Sequence, residues 1–283
     1  MGDKNIPVAD FAVIGGSSTF SLDFPADLQH PEVEILERDL VFSTPFGESP
    51  SFILFRLKGD NRMVLTCKMH GWRPGVSRAD ASRQVFWVLQ QAGVKKILSE
   101  GGVGALNHLL KPRDLLVPHD YIDFSMRKDV SLTSEYLLIM RESVCPEIRK
   151  KYVRAAEKFA RGRVFDRGIY VVTDGRHFES PSEVSFFRQI QGDIVGQSMC
   201  PEVYLAREIG ACYGRIDMVV NYAEGVVEDW KHEELKQIFY EEATTIAEII
   251  LECLQKVELN SSCNCQNLRK ETLLKENRGR EEV

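Results

Sequence analysis

No stretch of the sequence approaches the roughly 18 consecutive apolar residues that crossing a bilayer requires. The first residues, Met1-Gly2-Asp3-Lys4-Asn5, offer no basic region followed by an apolar run, so no secretory leader is expected and the implied location is cytoplasmic. A large excess of either charge is missing too: 36 Lys and Arg stand against 42 Asp and Glu, a net charge of −6. So mild an acidity cannot broadly neutralise a nucleic-acid backbone or an anionic membrane surface, which argues against both as partners. No internal repeat is visible. No glycine cluster is followed by the Lys of a phosphate-cradling loop, which disfavours a nucleoside triphosphatase. The six histidines form no convincing metal cluster, so no metal is expected. Cysteine is sparse, with seven in 283 residues. Cys67, Cys145, Cys200, Cys212 and Cys253 sit among apolar residues and read as buried thiols of a cytosolic protein.

What is present is ordinary globular material, 43% hydrophobic and 28% charged, enough for a sizeable core. The length suits two domain equivalents or one large α/β domain. Short apolar runs at 11–14, 63–67, 96–99, 115–118, 168–172 and 215–220 predict strands. Helical spacing predicts helices over 80–91, 146–161, 182–191, 202–209 and 231–257. The alternation predicts an α/β fold over residues 8–258, a mixed and largely parallel central sheet flanked by helices on both faces. Residues 259–283 hold few large apolar side chains and many charges of both signs, and read as a mobile charged tail.

Several segments end in small or hydroxylated residues: Gly15-Gly16-Ser17-Ser18, Gly101-Gly102 and Gly196-Gln197-Ser198. In an open α/β sheet, ligands sit at the carboxyl ends of strands. Glycines there let backbone N–H groups approach an anion, and serine hydroxyls donate further bonds. Any one such pair is equally well a simple turn. Periodicity alone therefore reaches only an α/β enzyme with an anion site.

Taken in order, the motifs go further. Ile14-Gly15-Gly16-Ser17, His70-Gly71 and Gly101-Gly102-Val103-Gly104-Ala105-Leu106 resemble the signatures of the trimeric purine nucleoside and methylthioadenosine phosphorylases. Asp174-Gly175-Arg176-His177-Phe178-Glu179-Ser180 stands where that family has a Glu-Gly-Pro-Arg-Phe segment. Pro201-Glu202-Val203-Tyr204-Leu205-Ala206-Arg207-Glu208, Cys212-Tyr213 and Val219-Val220-Asn221-Tyr222 complete a series spanning residues 10–257. The methylthioadenosine branch is the nearest match.

The resemblance implies a pentosyltransferase that breaks an N-glycosidic bond with inorganic phosphate as co-substrate and no cofactor, giving a purine and a (methylthio)ribose 1-phosphate. The transition state is oxocarbenium-like, so phosphate must be held beneath the sugar while charge grows on the purine. Carried over by position, Ser17, His70, Gly101, Gly102 and Ser198 would bind phosphate. Phe178, Glu179, Gln197, Asn221 and Ala223 would meet the nucleoside. Asn221, Ser198 and His70 would carry catalysis, with Glu202 bracing the loop of Ser198. The resemblance also implies a homotrimer or hexamer, the pocket for the 5′ group being closed by a neighbouring subunit through the segment 124–140.

The departures matter as much. The family's Arg before the histidine of the second loop is Met69 here, which removes a charge-assisted contact of roughly 1.5–3 kcal/mol. Lys68, Arg73 and Arg83 are the candidates to replace it. His177 stands for a second family Arg, and Gln197 for a Met beneath the ribose. Methylthioadenosine enzymes have Asp at both Asn221 and Ala223; an Asn amide suits a 6-oxopurine such as inosine or methylthioinosine. A 6-oxopurine phosphorylase, a phosphorylase-fold binding protein with weakened catalysis, and a nucleosidase using water are the alternatives. Cys263-Asn264-Cys265 echoes a Cys-x-Cys of archaeal members; alone it reads as inert, a redox pair or half of a soft-metal site, since zinc wants four ligands.

Overall fold

The computed structural model describes residues 5–260 and 262–272. The apolar run that begins the pattern is a buried strand, β1 (Phe11–Ile14), and such unbroken runs suit strands covered on both faces. After it come β2 (Val33–Leu40), a small hairpin of β3 (Ser43–Thr44) and β4 (Gly47–Glu48), then β5 (Phe52–Leu57) and β6 (Arg62–Cys67). Helix α1 (Arg78–Ala92) starts where the Ser77 side chain accepts from Asp80 N, and stops at Gly93 in the left-handed region. β7 (Lys96–Ala105), β8 (Leu115–Leu116), β9 (Asp120–Asp123) and β10 (Tyr136–Leu138) precede α2 (Pro146–Phe159). β11 (Val164–Phe165), β12 (Ile169–Val172), α3 (Pro181–Gln189), β13 (Ile194–Gly196) and α4 (Met199–Glu208) lead to β14 (Cys212–Tyr222), α5 (His232–Lys256) and β15 (Arg269–Glu271).

The main sheet runs β11-β8-β14-β7-β1-β6-β5-β2, with β9, β12 and β13 branching from β7. β1 lies parallel to β6 and β7, and β14 parallel to β7, while β13 meets the far end of β7 antiparallel. The sheet is therefore mixed, as the sequence predicts. Side chains of α1 and α4 pack one face into a core with Val85, Leu89 and Val203. Those of α2 and α5 pack the other with Ile148, Tyr152 and Ile250. Among the described residues no helix is long and apolar enough to cross a membrane.

The periodicity misses β2 and β5, an antiparallel pair at the sheet edge. Charged residues interrupt Val33–Leu40, because an edge strand can turn its side chains to water. The tail also departs from expectation. Its described part is docked: β15 pairs antiparallel with β10, and Cys265 and Leu268 are buried. A few well-placed apolar contacts suffice to hold a segment that composition calls polar. The expected mobility of residues 273–283 lies outside the described residues.

Candidate active site

The carboxyl ends of β1, β6, β7 and β14, with the loop after β13, surround one cavity of about 360 Å³. Ser17, His70, Gly102, Phe178, Glu179, Gln197, Ser198, Asn221 and Ala223 all line it. Gly101 does not. A β-carbon there would lie 2.2 Å from Arg215 Nη2, so this glycine admits a guanidinium rather than contacting a ligand.

The loop after β1 is shaped by a carboxylate of its own. Glu100, fully buried in β7, accepts from Gly16 N at 2.5 Å, Ser18 N at 3.1 Å, Thr19 N at 3.2 Å and Thr19 Oγ1 at 2.7 Å. Backbone donors that might have held an external anion are thus satisfied internally. What the loop offers the cavity is Ser17. Its Oγ accepts from Gly102 N at 2.8 Å, which uses the backbone donor expected of Gly102 and leaves the serine O–H to donate elsewhere.

The second loop places His70 in a left-handed conformation, φ 55°, next to Met69 at φ 49°. Two adjacent non-glycine residues there are costly and need support from the surroundings. Glu202 on α4 provides it: Oε1 lies 2.7 Å from His70 Nδ1, leaving Nε2 toward Gly16. Glu202 also accepts from Ser99 Oγ at 3.0 Å and Tyr213 OH at 2.7 Å. Glu202, expected to brace the loop of Ser198, bonds the histidine directly and reaches the serine only through Arg215, whose Nη1 lies 3.7 Å from its Oε2. Burial pushes its carboxyl up, but His70, Arg215 and Tyr213 outweigh this and hold it below the usual carboxylate range.

The third group is one that sequence reasoning passes over. Arg215, fully buried in β14, donates from Nη2 to Ser198 Oγ at 2.8 Å and from Nε to Asp217 Oδ1 at 2.8 Å. Its Nη1 is buried without a hydrogen-bond partner, 3.7 Å from Glu202 Oε2. Despite burial, Asp217 and the neighbouring tyrosines keep this guanidinium charged. Burial in turn pushes Asp217 up to about 6, against the pull of Arg215. An Arg-x-Asp pair within an otherwise apolar strand was the available signal, since a fully buried charge needs a partner or a ligand.

None of the three basic candidates lines the cavity. Lys68 is half-exposed and faces Asp23 at 3.7 Å. Arg73 binds Gly71 O and Gln84 Oε1, and Arg83 binds Asp80 and Ser131 O. Met69 does line the cavity, without charge.

The opposite end is looser. Phe178 is 49% exposed, its ring 4.6 Å from that of Trp230. Gln197 is fixed by Arg78, which donates to its Oε1 at 2.8 Å, and by Arg127, which donates to its carbonyl at 2.8 Å. Glu179 is buried and accepts from Thr173 Oγ1 at 2.5 Å. Asn221, 5% exposed, donates from Nδ2 to Tyr222 O at 2.7 Å and leaves Oδ1 unpartnered.

A family model described as the phosphorylase superfamily matches residues 10–255. A probable 6-oxopurine nucleoside phosphorylase of Korarchaeum cryptofilum is 32% identical, over 92% of this chain and 98% of that protein. A probable S-methyl-5′-thioinosine phosphorylase of Methanothermobacter thermautotrophicus is 31% identical, over 90% and 87%. Among solved structures, a methylthioadenosine phosphorylase from an antarctic soil metagenomic library superposes with a TM-score of 0.79 at 24% identity, over 94% of this chain and 91% of that one.

Proposed function

The chain belongs to the phosphorylase superfamily, and we propose that it is a purine nucleoside phosphorylase most like the methylthioadenosine enzymes. One observation carries the reading: Ser17, His70 and Ser198, with Arg215 behind the serine, form one end of a cavity whose other end holds Phe178 and Asn221. The first end suits a phosphate and the second a purine, with a ribose between them.

Phosphate oxygen attacks C1′ as the bond from C1′ to the purine nitrogen breaks, and the bonding pair leaves with the purine. Ser17 and Ser198 donate hydroxyl hydrogens to phosphate, and His70 presents Nε2 to it. Arg215 does not line the cavity; it stands behind Ser198, its Nη2 orienting the serine hydroxyl, and supplies positive charge near the phosphate in place of the cation missing at Met69. This speaks against a binding-only or water-using protein as far as that reading rests on Met69; His177 and Gln197 still depart from the family pattern. Gly102 supports phosphate through Ser17, and Gly101 by admitting Arg215. Glu179 and Gln197 shape the nucleoside half, and Phe178 stacks on the base.

Asn221 and Ala223 favour a second reading, a 6-oxopurine substrate. With one amide hydrogen on Tyr222 O, Asn221 keeps a second to donate to O6 and an open Oδ1 to accept from a protonated N7. Phe124, Met126 and Leu137 expose apolar surface in the segment 124–140, which supports a homotrimer with this segment against a neighbour's pocket. Cysteines without disulfides, as at the buried Cys67, Cys200 and Cys253, suit a cytoplasmic setting.

Purine release from methylthioadenosine, methylthioinosine, adenosine and inosine, each with and without phosphate, tests the reading. Release that needs phosphate is expected, and the ranking of substrates separates the 6-amino from the 6-oxo form. Light scattering should return a multiple of three chains; a monomer at micromolar concentration would remove the subunit-closed pocket.

A further inference from the structure

Four of the seven cysteines, far apart in sequence, converge away from the cavity. Cys145 precedes α2, Cys212 opens β14, and Cys263 and Cys265 belong to the docked tail. Their sulfurs all lie within 4.8 Å of one another, and Cys212 Sγ is 3.4 Å from Cys263 Sγ. A single tetrahedral zinc ion with Zn–S bonds of about 2.3 Å sets its sulfurs about 3.8 Å apart. None of the four is in a disulfide. Cys145, Cys212 and Cys265 are buried, so the ion would be shielded as structural zinc sites are.

We propose that Cys145, Cys212, Cys263 and Cys265 form a structural Zn²⁺ site that fastens the C-terminal segment to the sheet. The fold supplies the second cysteine pair that the Cys-x-Cys alone lacks. Binding forms four Zn–S bonds and releases up to four protons to solvent; no electrons move, and the bound centre carries a net charge of −2. Lys96, itself buried, donates from Nζ to Cys212 Sγ at 3.3 Å and offsets part of that charge, as hydrogen bonds to ligand sulfurs do. Arg207 donates to Cys265 O at 3.0 Å and to Glu142 O at 2.8 Å, tying the ligand loop to the chain just before α2. Beyond the site, β15 pairs with β10, so the ion would hold the tail against the segment 124–140.

The full chain, purified without chelators, should contain one zinc ion per chain by elemental analysis, released on titration with a thiol-blocking mercurial. Cys263→Ser, at the less buried of the two tail cysteines, and Cys265→Ser should each lose most of the zinc, whereas Cys67→Ser and Cys253→Ser should keep it. Cobalt substitution should give the visible bands of tetrahedral cobalt thiolate. Chelation should lower the melting temperature of the parent protein and expose residues 262–272 to protease, and should leave the already zinc-free Cys265→Ser protein unchanged. Metal-free protein whose mass under non-reducing conditions shows two disulfides among these cysteines would overturn the proposal. So would zinc content unaffected by either tail substitution.

Discussion

At the end of the cavity proposed for phosphate, His70, Ser198 and the Arg215 behind it are each no more than 7% exposed, and each is bonded to a side chain from a different element. At the end proposed for the base, Phe178 is 49% exposed and meets a loop tryptophan with its ring tilted by 57°. The two ends therefore hold their ligands on different physical terms. Groups fixed by buried hydrogen bonds and ion pairs are preorganised to hold an anion beneath an oxocarbenium-like sugar and need no reorganisation. A half-exposed aromatic on a loop offers contact area and tolerance of variation but little electrostatic leverage. Phosphate binding should therefore depend on the first end, and substrate choice, with the charge that grows on the purine, on the buried Asn221 of the second.

Breaking the buried end should have the largest effect. Arg215→Gln should raise phosphate KM by about 10–150-fold, the equivalent of one charge-assisted bond of roughly 1.5–3 kcal/mol. It should also cost about 3–5 kcal/mol of stability, because Asp217 is left buried and unpaired. Adding Asp217→Asn should recover stability without recovering phosphate KM, and recovery of both would make the role of Arg215 structural only. The same pair has a pH signature. Burial raises the folded-state pKa of Asp217 to about 6, above the unfolded value of about 3.9. The folded protein thus binds this proton more tightly, and the contribution is present below about pH 4 and lost as pH rises through about 6. Over that window the stability difference between parent and Asp217→Asn, followed by denaturant unfolding, should move toward the variant; a flat difference would place the carboxyl in its ordinary range.

A smaller effect should follow at the deep edge of the base end. Asn221→Asp should shift kcat/KM toward 6-aminopurines by about 10–100-fold, since a carboxylate accepts where an amide also donates. Ala223→Asp added to it should strengthen the shift. An unchanged 6-amino to 6-oxo ratio would mean that Asn221 does not read the base.

The smallest change should come at the exposed ring. Phe178→Ala should raise nucleoside KM by about 3–10-fold, a stacking contribution of roughly 0.5–1.5 kcal/mol, and leave phosphate KM as it was. A change in phosphate KM of the same size would erase the distinction between the two ends.

The same contrast explains what was legible in the sequence. Ser17, His70, Ser198 and Asn221 sit in short motifs at strand ends, where local residue type and position coincide with the site. Phe11–Ile14 and residues 96–99 read as strands because both faces are covered and the runs are largely apolar, whereas the continuation of β7 to Ala105 does not, its glycines reading as a turn. Arg215 was hidden because its partners Ser198 and Glu202 come from another element, and only the fold brings them within reach. Glu202 is singled out by the sequence, but its bond to His70 is not, for the same reason. The four cysteines were similarly invisible as a group: no spacing along the chain relates Cys145 and Cys212 to Cys263 and Cys265. Local chemistry was readable; long-range pairing was not.

The transfer itself is most directly followed by phosphorus NMR of the parent protein turning over methylthioadenosine or methylthioinosine in the presence of inorganic phosphate. The expected result is loss of the free phosphate signal and growth of a sugar 1-phosphate signal, mole for mole with purine released. Purine release with the phosphate signal unchanged would show that water is the nucleophile, and would contradict a phosphate site built from Ser17, His70, Ser198 and Arg215.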